Sequence, residues 1–164
     1  MEMKHRHEVV KFDRDLIREY LEERDVKYMI DKDGDFIAIF ALNGCPQKAF
    51  TIFAASGLLE EVFSITLRVE PSPAMPEIDA LRQVNRWNQE RRWPRAYYKD
   101  HGFQLDWHID LGMGISPALF ADMCDTVIAG GHMFINELSP GGEKGLAGME
   151  FLFRELLKKL REDG

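Results

Sequence analysis

Residues 61–70 and 103–111 alternate apolar and polar side chains, and that patterning limits what the chain can fold into more than any other feature. In the first run Phe63, Ile65, Leu67 and Val69 fall on one side, with Val62, Ser64, Thr66 and Arg68 on the other. In the second, Phe103, Leu105, Trp107, Ile109 and Leu111 oppose Gln104, Asp106, His108 and Asp110. A period of two is the signature of a half-buried strand. A slip of one residue would turn each apolar set to water, so the register is strongly specified. The two apolar sets are therefore expected on the same side of one antiparallel sheet, with helices against them.

The segment between these runs supplies a helix. Pro76 suits a first helical turn. Ile78, Leu81, Val84 and Trp87 or Asn88 then repeat at helical spacing as far as Trp93. Pro94 stops the helix and residues 95–98 open a hairpin with 103–111. Upstream, Asp13 can cap a helix carrying Leu16, Ile17, Tyr20 and Leu21. Residues 27–30 and 36–42 read as strands joined through Asp31-Lys32-Asp33-Gly34-Asp35, because Asp-Gly tolerates the positive φ of a hairpin turn. Every residue from Phe36 to Leu42 is apolar, which predicts a central strand covered on both faces. Asn43-Gly44-Cys45-Pro46 reads as a turn, and residues 49–54 as the next strand.

Downstream, Ser116-Pro117 is a cap followed by a first-turn proline. Leu119, Phe120, Met123, Val127, Phe134 and Leu138 mark the helix it opens. Gly130-Gly131 lies inside it, at ~1 kcal/mol per glycine relative to alanine. Either a break or a very close backbone contact would account for the pair. Ser139-Pro140-Gly141-Gly142 ends the element. A last helix over 146–161 carries Met149, Leu152, Phe153, Leu156, Leu157 and Leu160, with Lys158, Lys159 and Arg161 at its C-terminal end. The order is α-β-β-β-β-α-β-β-α-α, an α+β fold in which an antiparallel sheet packs with helices. Residues 1–164 read as a single domain with 146–164 as a C-terminal helical extension.

None of the polar constellations reads as a catalytic centre. Asp31–Asp35 has its glycine fourth and Leu42 twelfth, whereas a calcium loop needs glycine sixth and glutamate twelfth. Asp106, His108 and Asp110 share a strand face, but alternate residues sit roughly 6.5–7 Å apart. One ion ligated at ~2.1 Å does not span all three. The plain reading is the wet side of a sheet, and the alternative is a small-ligand or small-enzyme site there. Gly112-Met113-Gly114-Ile115-Ser116 lacks the third glycine and the lysine of a phosphate loop. Ser116 reads as a cap, Cys124 as a small core residue, and His5 and His7 as part of a mobile terminus. No catalytic residue, metal or cofactor is expected.

Arg86, Arg91, Arg92 and Arg95 interleave with Trp87, Trp93, Tyr97 and Tyr98, the ingredients of single-strand nucleic-acid binding. The balance of 28 acidic against 21 basic residues, net −7, argues against that partner and against anionic membrane. Arginine stems covering the rings is the better reading. Asn85 and Asn88 share a helix face and are expected to anchor neighbouring backbone. Asn85, Trp87, Asn88 and Trp93 are thus candidate structural or partner-binding residues. Two cysteines in 164 residues fit a reducing cytoplasm. Neither a signal-peptide core nor a run of 18 apolar residues is found, so no membrane span is expected.

Taken together, Asn85-Arg86-Trp87-Asn88 on a helix, Trp93-Pro94 before a hairpin, the His101-Gly102 turn, the 112–115 loop and the Ser116-Pro117 helix start resemble the YbjN family of bacterial sensory-transduction regulators. The resemblance runs from the first helix to about Leu138. It implies a fold like that of type III secretion chaperones, which act without catalysis, often as homodimers, and hold partner segments along apolar surfaces. It therefore implies a protein-binding or regulatory module, homodimeric, with a protein partner.

Overall fold

The computed structural model describes residues 7–41 and 45–139. Several expectations fall outside them: Leu42 as a strand end, the Asn43-Gly44 turn, His5, Pro140 to Gly142 as a terminator, and the helix over 146–161 with the extension 146–164.

The described chain forms α1 (Arg14–Glu23), β1 (Tyr28–Ile30), β2 (Phe36–Ala41), β3 (Lys48–Ser56), β4 (Val62–Glu70), α2 (Glu77–Glu90), β5 (Arg95–Lys99), β6 (Gly102–Asp110) and α3 (Pro117–Leu138). Local chemistry sets the boundaries as the sequence requires. Asp13 accepts from the amides of Asp15 and Leu16 at the start of α1, and Ser116 accepts from Leu119 at the start of α3. Asp31 Oδ1 accepts from the amides of Asp33 and Asp35, closing the β1–β2 turn at Gly34, whose φ is +82°. α2 ends three residues before the expected Trp93. Arg91 is its C-cap and is already extended, with φ −132° and ψ 146°, so the chain straightens ahead of Pro94.

Six strands make one sheet in the order β1-β2-β3-β4-β6-β5, every pair antiparallel. α2 carries the chain from β4 past β6 to the edge strand β5. Phe63 lies opposite Ile109, Ile65 opposite Trp107 and Leu67 opposite Leu105, so the two alternations do share one face. The helices lie on that face. The Phe120 ring stands 4.8 Å from Phe63, Tyr20 stands 6.0 Å from Phe53, and Phe134 stands 5.5 Å from Phe103. The result is two layers over one core.

The other face of the sheet is not covered by any described helix, which corrects the reading of β2 as a strand buried on both sides. Phe36, Ala38 and Phe40 are buried, while Ile39 on the opposite side is 60 % exposed. The apolar run of β2 therefore builds both a core face and an outer patch.

α3 continues unbroken through Gly130-Gly131. A Cβ on Gly130 would stand 2.7 Å from Pro94 Cδ, and one on Gly131 would stand 2.5 Å from Leu67 Cδ2. Close approach, not a break, explains the pair. By length and composition alone α3 would suffice to cross a bilayer, yet all residues from Val127 to Ile135 are buried and it serves here as the central core helix. Gly130→Ala is expected to cost about 1 kcal/mol net in urea unfolding. Helix propensity returns up to ~1 kcal/mol, but overpacking a rigid proline ring costs roughly 1–3 kcal/mol.

Candidate functional site

Trp87, Asn88 and Trp93 gather where α2 meets the start of β5. Trp87 is fully buried, and its Nε1 donates to the Pro94 carbonyl at 2.9 Å. Its ring meets Phe134 edge-on at 5.2 Å, and the Arg91 guanidinium lies 4.1 Å above it. Arg91 also pairs with Glu137 at 2.9 Å and Glu90 at 3.0 Å. Burial pushes the Glu137 carboxyl above its ordinary range, with Arg91 and Arg86 opposing the shift. An arginine covers the ring as expected, but the contact is made by the guanidinium and not by the stem.

Asn88 accepts from the Ala96 amide at 2.9 Å and donates to the Ala96 carbonyl at 2.8 Å. Both groups belong to the open edge of β5, so the side chain stands in for a neighbouring strand and blocks edge pairing there. Backbone anchoring is thus correct for Asn88. Asn85 does not share in it and lies exposed. The reason is position along the axis: Asn85 lies about one turn earlier on α2, and Asn88, close to the C-terminal end at Glu90, is the one beside Ala96. Trp93 is half exposed and meets Trp107 edge-on at 5.1 Å. The cluster is a joint of the fold.

The other candidate trio lies on the outer face of the sheet, and only part of it comes together. Asp106 is 6 % exposed, so its expected place on a wet face is corrected. Its Oδ2 is held by Arg95 at 3.2 Å and by His108 Nε2 at 3.1 Å. Register explains the contacts: Arg95 is directly opposite Asp106, and His108 is its neighbour two residues along. His108 Nδ1 is 2.8 Å from Ser64 Oγ, the residue opposite it on β4. Asp110 turns away to accept from the Gly112 amide at 2.8 Å. Tyr97 donates to Gln104 Oε1 at 3.1 Å, and burial followed by the nearby Asp106 charge raises its phenol pKa.

Ser64, His108 and Asp106 form a hydrogen-bonded chain of the residue types used in acyl transfer, but the surroundings do not complete a catalytic site. An oxyanion needs free donors aimed at it. Ser64 sits between two ladders, opposite Ala54 on β3 and His108 on β6, so its own amide is committed to the sheet. Among the described residues no group of three or more His, Cys, Asp or Glu could hold a metal ion. Cys124 is fully buried, and burial with the adjacent Asp125 raises its pKa well above the ordinary thiol value, which removes it as a nucleophile. The polar chain bridges β5, β6 and β4.

What remains is the outer face itself, read across the sheet by register. One row runs Ile39, Phe50, Arg68, Gln104, Tyr97, and the next Met29, Ile37, Ile52, Thr66, Asp106, Arg95. Each row passes from apolar on β1–β3 to polar on β4–β5. Met29 and Ile39 are 66 % and 60 % exposed.

The YbjN family model, described as "putative bacterial sensory transduction regulator", matches residues 13–140. The chain belongs to the YbjN family. The match begins on the α1 cap and ends beyond α3, so it takes in every described helix and strand. Among solved structures, the crystal structure of YbjN from E. coli, described as "a putative transcription regulator", is similar over 79 % of this chain and 93 % of that one. The TM-score is 0.59 at 13 % identity, a likeness of fold. No curated protein matches the chain. Membership of the YbjN family places the protein among regulators, on an α+β scaffold of antiparallel sheet and helices.

Proposed function

We propose that this protein is a non-catalytic regulatory module of the cytoplasm that works by association with another polypeptide and is itself a homodimer. The observation that supports association with another polypeptide is the side of the sheet that no described helix covers. A two-layer α+β domain ordinarily keeps an uncovered antiparallel face polar, whereas β1–β3 place Met29, Ile37, Ile39, Phe50 and Ile52 there. Exposed apolar groups gathered on one surface mark a site of interaction. The family's regulator label agrees with a protein that acts through a partner, and the secretion chaperones that the sequence pattern implies as fold relatives would supply a precedent for dimers.

Light scattering at micromolar concentration is expected to give twice the 19.0 kDa chain mass. A mass of one chain would reject the dimer. The non-catalytic reading has a separate test on Ser64 and His108. Chromogenic ester hydrolysis abolished by Ser64→Ala, or one equivalent of zinc lost with His108→Ala, would overturn it in favour of a small enzyme on the outer face.

A further inference from the structure

We infer that the outer face of β1–β3 is a docking surface for an acidic, amphipathic segment of a partner polypeptide, an inference that rests on the association reading above and names the occupant. Three observations carry it. The first is shape. The apolar half spans three strands at ~4.8 Å spacing and about five residues at ~3.3 Å rise, roughly 14 by 16 Å. That matches one helix, about 10 Å across, or a pair of extended strands. The second is area. Such a footprint comes to about 220 Å², against the ~800 Å² per partner that a stable dimer buries. A second copy therefore finds too little here, and two-fold pairing would set this patch and its cations against themselves.

The third observation is charge. The chain carries −7 overall, yet the outer face of the sheet carries four cations, two of them beside the patch on β3 and β4 and two on the far strand β5. Lys48, Arg68, Arg95 and Lys99 are all exposed and, by register, all belong to the outer face. Of the acids on that face, Asp106 is buried against Arg95 and His108, and Asp110 serves the Gly112 turn. Glu70 stands 3.3 Å from Arg68 and lies directly opposite Lys48, so the strands hold four cations against three acids on that face of an acidic chain. A segment with leucine-like residues on one side and glutamates beside them would cover Ile39, Phe50 and Ile52 and set its acids over Lys48 and Arg68. Opposite charge across the rim steers and selects such a partner.

The test uses the full chain and a labelled synthetic peptide of about four helical turns, with leucines on one face and glutamates flanking them. Its control carries lysine at every glutamate. Fluorescence anisotropy is expected to show binding of the acidic peptide, with the lysine version weaker by at least roughly tenfold. The double variant Met29→Asn/Ile39→Asn alters two exposed side chains and leaves the core intact, so its melting curve should match the parent while peptide affinity falls by roughly tenfold or more. Lys48→Glu should weaken the acidic peptide and strengthen the basic one. Equal binding of both peptides, no binding of the acidic one, or undiminished binding to the double variant would each overturn the assignment of this face and leave the dimer and ester tests as they stand. Conversion of a dimer to a monomer by Met29→Asn/Ile39→Asn would make the second copy the occupant and overturn the proposal as well.

Discussion

Asp125→Ala is expected to destabilise the protein by about 3–5 kcal/mol, the range for breaking a buried ion pair from one side. Asp125 is 1 % exposed on α3. It takes two bonds from the Arg24 guanidinium, at 2.8 and 2.6 Å, and one from the Tyr20 hydroxyl at 2.9 Å. The Arg24 side chain is itself only 11 % exposed and lies 4.4 Å above the Tyr20 ring. Removing the carboxylate leaves a charge and a hydroxyl inside the α1–α3 interface without their acceptor, and domains of this size have only about 5–15 kcal/mol to lose. Urea unfolding should show the midpoint fall with an unchanged slope. Arg24→Met/Asp125→Asn removes the charge and keeps an acceptor for Tyr20. It should lose less than the sum of its single variants, a coupling that a pair of independent contacts would not produce.

That interface also marks where the sequence stops being readable. Tyr20 belongs to the α1 stripe, and its burial follows from spacing. Asp125 sits in a mostly apolar helix, and no local pattern says that a carboxylate there meets an arginine 101 positions earlier. Alternation told which side of β4 and of β6 faces the core, because that is a property of each strand alone. It did not tell that Ser64 faces His108, because register is a relation between strands, fixed by packing and loop lengths. The same limit hid Arg95 opposite Asp106 and so made Asp106 look wet. The apolar patch was misread for a related reason. A continuous apolar run is the mark of a doubly covered strand, and the alternative, that one side is kept apolar for a partner, has the same one-dimensional signature. The glycine pair left two explanations open, and only the positions of Pro94 and Leu67 decide between them.

The joint at Trp87 yields the other large effect. Trp87→Ala is expected to cost about 3–5 kcal/mol, as large aromatic deletions in cores do. Trp87→Phe should cost about 1–2 kcal/mol, since it keeps a ring against Phe134 but leaves the Pro94 carbonyl without its donor. The comparison separates packing from hydrogen bonding at one position. Its second consequence is spatial. Arg91 rests on the indole, and Asn88, one residue beyond Trp87 on α2, holds both backbone groups of Ala96. An alanine at 87 loosens the helix that carries Asn88, so the Ala96 amide should lose hydrogen-exchange protection in Trp87→Ala and in Asn88→Ala alike, while the amides of β3 and β4 keep theirs relative to global stability. Protection lost evenly across all six strands would mean that the α2–β5 joint is not a separate unit and that Asn88 does no more than decorate an edge already closed.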